Sequence, residues 1–167
     1  SLPFLVAYKG IKDKWTNEDF YQLGYAYYSE KKYDSAIDQF NKIINQSNSL
    51  SQNAFYHLGD CYLKEEKKIE ALSAFKKASE MNFNKKIKED ALLQYAKLGF
   101  EIGNPFESYT NVLIRFLNNY PKNKYSEKIK SLLVLSYTNG GDYDSAIKIL
   151  KSANPFKDEV TLQKVLY

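Results

Sequence analysis

Apolar residues along this chain recur at helical rather than strand spacing. In residues 18–28 they fall at Phe20, Leu23, Ala26 and Tyr27, and in residues 33–44 at Ala36, Ile37, Phe40, Ile43 and Ile44. The polar stretch 29–32 between them is a turn short enough to join antiparallel neighbours. Thr16, with Asp19 three residues on, is an acidic variant of the capping box and predicts where the first of these helices starts. The pattern then returns. Phe20-x-x-Leu23-Gly24-x-x-Tyr27 followed by Ala36-x-x-x-Phe40 comes back, 35 residues later, as Phe55-x-x-Leu58-Gly59-x-x-Tyr62 followed by Ala71-x-x-x-Phe75. The second copy predicts one helix over 51–63 and another over 69–81. A period of this length marks an array of helical hairpins, none of which can bury its apolar face alone.

Two weaker copies follow. Tyr95-Ala96-x-x-Gly99 with Ser108-x-x-x-Val112, and Leu133-Val134-x-x-Tyr137 with Ala146-x-x-x-Leu150, both keep the 13-residue offset that separates Leu23 from Ala36. Asn104-Pro105 and Asn154-Pro155 each read as an N-cap followed by proline at the first helical position, where a missing N–H costs nothing. Gly140-Gly141-Asp142 reads as a turn within the fourth unit, and Pro121 as the close of a helix ending at Tyr120. The predicted hairpins are 17–46, 51–81, 88–120 and 126–153. Residues 1–15 and 156–167 form partial flanking helices, the tail of a preceding unit and the opening of a following one. Val160, Leu162, Val165 and Leu166 make that last segment apolar without a completed hairpin, so the expectation is an internal section of a longer array.

These residues resemble the tetratricopeptide repeat, whose signature runs W-x2-L-G-x2-Y, then A-x3-F, then a later small residue. Phe20 and Phe55 stand where the family often has tryptophan, and Tyr27 and Tyr62 hold its tyrosine position. Ala36, Ala71 and Ala146 fill the small position of the second helix, with Ala78 and Ala153 at the later one. The resemblance covers about residues 17–153. It implies an all-α fold, a right-handed superhelical solenoid of antiparallel helix hairpins running through 1–167 as a single TPR-like solenoid. Gly24, Gly59 and the alanines would let paired helices approach closely while aromatics fill the remaining space. The implied function is a protein–protein interaction scaffold that holds a peptide or helix of a partner in a concave groove; the other reading is a structural spacer. Phe116-Leu117-x-x-Tyr120-Pro121 and Gly141-Asp142-Tyr143-x-x-Ala146 are also similar to repeat proteins of Gram-negative envelopes, in outer-membrane assembly or the Tol–Pal system. That similarity implies a periplasmic or outer-membrane-associated location, with any membrane association arising through a parent protein.

By the same resemblance, Tyr21, Tyr25 and Tyr28 line the groove in the first unit, Asn53, Tyr56, Asp60 and Lys64 in the second, and Lys97 in the third. Some family members grip a partner's C-terminal carboxylate with lysine, asparagine and arginine at fixed groove positions. Here Tyr21, Tyr25, Asp60, Asp90 and Gln94 occupy those places, which argues against that mode of capture. Tyr27, Tyr62 and Tyr137 fall on signature positions and are expected in the core.

Composition changes this picture little. The net charge is +4, carried almost wholly by lysine with Arg115 the only arginine, and interleaved acids argue for a solvated surface rather than a nucleic-acid reader. The Lys-rich run at 122–130 reads the same way. No apolar stretch approaches the ~18 residues of a membrane span. His57 and Cys61 lie four apart on one helix face, but no second His or Cys completes a zinc set and no third group orients the histidine. A packed cysteine is the better reading. Glu65-Glu66 and Glu89-Asp90 read as solvated pairs in or near turns, and Gly140-Gly141 lacks the Gly-Lys-Ser/Thr continuation of a phosphate cradle. The sequence therefore predicts no catalytic residue, no metal, no cofactor, no small-molecule substrate and no nucleic acid. The expected partner is another protein.

Overall fold

The structure is a computed structural model that describes residues 2–11 and 14–152. Among the described residues the secondary structure is helical throughout, with no strand. The helices are α1 (Leu2–Ile11), α2 (Asn17–Ser29), α3 (Tyr33–Phe40), α4 (Ser49–Lys64), α5 (Lys68–Glu80), α6 (Lys85–Ile102), α7 (Tyr109–Asn119), α8 (Ser126–Asn139) and α9 (Tyr143–Ser152). The chain divides into two compact units, Ser1–Tyr95 and Ala96–Tyr167, and the division falls within α6.

In the first unit α2 packs on α3 and α4 on α5 as hairpins, α3 meets α4, α2 meets α4, and α1 lies against α2. The capping box at Thr16 is formed: its hydroxyl accepts the Asp19 N–H, and the Asp19 carboxylate accepts the Thr16 N–H at 2.7 Å. Asn48 caps α4 through the Ser51 N–H, while the buried Ser51 hydroxyl donates to the Ile43 carbonyl at 2.6 Å and so ties the end of one hairpin to the start of the next. Ala36, Ile37, Phe40, Ile43, Ala54, Leu58, Cys61 and Ala74 form a continuous buried cluster. Gly24 and Gly59 are the close-approach points. A Cβ on Gly24 would stand 2.8 Å from the Phe40 ring, and one on Gly59 2.5 Å from the Phe75 ring. Each phenylalanine lies against bare helix backbone.

The turns after α2, α4 and α8 share one mechanism. After α2, the Lys31 N–H bonds the Tyr28 carbonyl and the Lys32 N–H the Tyr27 carbonyl; Glu66 and Lys67 do the same after α4, and Gly141 and Asp142 after α8. This is the Schellman arrangement, with the central residue left-handed: φ is 60° at Lys31, 59° at Glu66 and 77° at Gly141. Only the last uses glycine.

In the second unit α7 packs on α8 and α8 on α9. Ser126 repeats the role of Ser51, donating to the Tyr120 carbonyl at 2.8 Å. α8 and α9 keep the spacing of the first two hairpins, and Ala146 is fully buried as Ala36 and Ala71 are. The third copy departs from the expected register. Ser108 precedes α7 as its N-cap residue, so Val112 takes the place that Ala36 holds in α3, and Phe116 the place of Phe40. The cause is the connection after α6, which spans 103–108 where the other hairpins use three residues. Asn104-Pro105 accordingly does not open a helix: the Asn104 side chain accepts the N–H groups of Phe106 and Glu107 inside that loop, and Arg115 grips Glu107 with two hydrogen bonds of 3.0 and 3.1 Å. Asn154-Pro155, Ala153 and the segment 156–167 lie outside the described residues.

Three further expectations are corrected. Tyr27, Tyr62 and Tyr137 are half-buried rather than core, Tyr27 and Tyr62 packing against the outside of the buried cluster; among the described residues the fully buried tyrosine is Tyr95. Glu89 and Asp90 lie inside α6, not in a turn, and Asp90 pairs with Lys86 at 2.9 Å. The helix before Pro121 ends at Asn119, with Tyr120 as its C-cap.

Candidate functional site

Tyr21, Tyr25 and Tyr28 follow one another at spacings of four and three on α2, so they share a face. Asn53, Tyr56, Asp60 and Lys64 do the same on α4. Because α2 and α4 are packed together, the two faces meet, and they meet around His57. The His57 ring lies 5.3 Å from Tyr28, 5.4 Å from Tyr25, 5.6 Å from Phe40, 5.9 Å from Tyr56 and 6.0 Å from Tyr21, centroid to centroid. Phe40 stacks on it at an interplanar angle of 16°, while Tyr25 and Tyr56 stand edge-on. Tyr21 and Tyr25 stack on each other at 6.5 Å, and Tyr25 reaches Tyr28 at 6.1 Å. Such pairs lie within the range at which ring quadrupoles attract.

The sequence reading placed the tyrosines on this face but missed its centre. His57 follows Tyr56 on α4, in the position that Gln22 holds on α2, and it is the side that turns toward the preceding hairpin that brings it among the rings. Among the rings of this face Tyr25 is the most open, 48% exposed; Tyr21, Tyr28, Tyr56, Asn53 and Asp60 are half-buried and Lys64 is exposed. Lys97 belongs to the second unit, where its ammonium lies 6.0 Å over the Tyr125 ring.

Burial sets the electrostatics. It pushes the His57 imidazole down to about 4, so the ring is neutral near pH 7, and its Nδ1 is buried without a hydrogen-bond partner. Burial raises the Asp60 carboxyl to about 6, against the pull of Lys64 and the Tyr28 hydroxyl, which leaves it ionised at neutral pH. The Tyr56 phenol is pushed up to about 12, first by burial, then by Asp60 and Asp90. Tyr21 and Tyr28 are raised as well, mainly by burial. Cys61 is fully buried and free, its thiol held near 12 by burial and the neighbouring acids Asp60 and Glu65, far from a reactive thiolate. Among the described residues no three His, Cys, Asp or Glu side chains gather as a metal-ligand set, and no helix is long and apolar enough to cross a membrane.

Paired antiparallel helices, glycine–phenylalanine close approaches and small buried residues at each crossing define the tetratricopeptide-repeat class of fold. The comparisons agree. The family model for the anaphase-promoting complex (cyclosome) subunit 3 matches residues 5–78, the span of α1 through most of α5. None of the curated proteins matches the sequence. Among solved structures the chain is similar to MamA, with a TM-score of 0.66 and 22% identity over 98% of this chain and 90% of that one. It is also similar to YrrB, a TPR protein with an unusual peptide-binding site, with a TM-score of 0.63 and 19% identity over 91% and 75% of the two chains. A kinesin light chain of Podosopora anserina with nearly identical TPR-like repeats gives 0.54 and 11% identity over 81% and 72%. At these identities the likeness is one of fold.

Proposed function

We propose that this chain is a non-catalytic interaction scaffold whose α2–α4 aromatic face binds an extended or helical segment of a partner protein. The observation that carries this reading is the convergence of Tyr21, Tyr25, Tyr28 and Tyr56 on His57, with Tyr25 open to solvent. Tyrosine offers large contact area at low entropic cost, and an aromatic cluster partly open to solvent suits an interaction site. The peptide-binding site of YrrB, on a similar fold, is in keeping with it. The test is affinity capture with the wild-type chain and with Tyr25→Ala plus Tyr56→Ala, both checked for helicity. Partners lost in the double variant support the face; partners recovered equally by both remove it.

The spacer reading has one observation in its favour: Tyr21, Tyr28 and Tyr56 are half-buried in contacts between the hairpins and so also serve packing. A cell-envelope location is supported by the two short phrases at 116–121 and 141–146 alone, and fractionation of the source cells tests it.

A further inference from the structure

The aromatic face carries acidic charge as well as rings. Asp60 sits one helical turn beyond Tyr56 and close enough to Tyr28 to act on its hydroxyl, and Asp90 is near enough to Tyr56 to act on its phenol. Tyr25 lies against Tyr28, and both share the His57 ring with Tyr56. We propose that this face recognises a cationic side chain, a lysine or arginine within the bound partner segment, seated over the tyrosines and neutralised by Asp60. The inference rests on the binding reading above and names the chemistry of the occupant.

Three features argue for a cation. Tyrosine faces attract cations, most strongly where water is partly excluded. Asp60 is half-buried and makes no ion pair among the described residues; the Tyr28 hydroxyl bonds it, and the exposed Lys64 acts on it through space. His57, at the centre of the rings, is uncharged near pH 7 and so does not repel a cation. Of the bases near these acids, Lys64 acts on Asp60 through space and Lys86 is already held by Asp90. The same arrangement disfavours an anionic ligand, since Asp60 would repel it.

A peptide-display selection from a random 12-residue library, run against the intact chain, tests this. Winners are then measured as synthetic amidated peptides by fluorescence anisotropy. The expected result is enrichment of a lysine or arginine at one fixed position, with affinity falling about fivefold or more on Asp60→Asn and on replacing that residue by norleucine. Peptides that need Tyr25 and Tyr56 but lack a required base, or that prefer an acid, overturn the cation proposal and leave the binding face standing. Peptides indifferent to Tyr25→Ala plus Tyr56→Ala, or no enrichment at all, overturn the binding face and the proposal with it.

Discussion

Replacing Gly59 by alanine puts the close packing of the second hairpin to a direct test. On an isolated helix the change is favourable by about 0.8–1 kcal/mol, because alanine loses less backbone freedom. Here the new Cβ would meet three atoms of the Phe75 ring at 2.5, 2.7 and 2.7 Å, and that ring is fully buried with no room to swing aside. Overpacking of this kind costs ~1–3 kcal/mol, and contacts this short belong at the upper end. The expected net effect is a loss of about 2 kcal/mol, or a midpoint lower by roughly 4–8 °C for a chain of this size. Gly24→Ala, whose nearest ring atom is 2.8 Å away, should cost about half as much. Urea and thermal unfolding followed by far-UV circular dichroism give the numbers. Phe75→Leu supplies the control: it should cost stability alone, yet in combination with Gly59→Ala should recover about 1 kcal/mol or more of coupling. A Gly59→Ala chain as stable as the wild type, or an additive double mutant, would refute the reasoning.

Gln52→Ala should cost about 3 kcal/mol in the same urea assay. Gln52 is fully buried, donates to the Ala78 and Met81 carbonyls at 3.0 and 2.9 Å and accepts from the Phe83 and Asn84 N–H groups at 3.1 and 2.7 Å; the change removes all four bonds and leaves the buried Ala78 end unsatisfied. Lys31→Gly and Glu66→Gly should each stabilise by about 0.5–1 kcal/mol, since both side chains hold a left-handed conformation that Gly141 adopts freely in the corresponding turn; a loss of stability would contradict this. His57 has its folded value lowered from 6.5 to about 4, so the stability it supports is whole above pH 6.5 and lost as pH falls through 4. The amount is about 3 kcal/mol, and His57→Phe should flatten that acid limb in urea melts taken from pH 8 downward. Asp60 runs the other way: raised from 3.8 to about 6, it favours folding below 3.8 and loses that contribution as pH rises through 6. Asp60→Asn should therefore stabilise the chain near pH 8 and have no such effect below pH 4.

The hairpins were legible in the sequence because each helix keeps one apolar stripe at a 3.6-residue period and each close approach needs glycine or alanine at a fixed offset. The Thr16 capping box and the buried Cys61 could be read for the same reason: both follow from neighbours along the chain. The third hairpin was misread by one helical turn, since an offset of 13 residues does not reveal whether the intervening loop has three residues or the six at 103–108. Tyr27, Tyr62 and Tyr137 are only half-buried although they match a core signature, because depth depends on what neighbouring elements cover. Gln52 and His57 were invisible as key residues. The sequence shows a glutamine and a histidine on a helix, but the carbonyls, N–H groups and most of the rings that surround them come from elements 17 to 36 positions away. Sequence by itself determined the kind of helix pair this chain builds and which residues line each face. Only the tertiary packing of α2 against α4 decided that four tyrosines, a neutral histidine and a half-buried aspartate share one surface, since burial and long-range proximity, not local spacing, govern their charge and exposure.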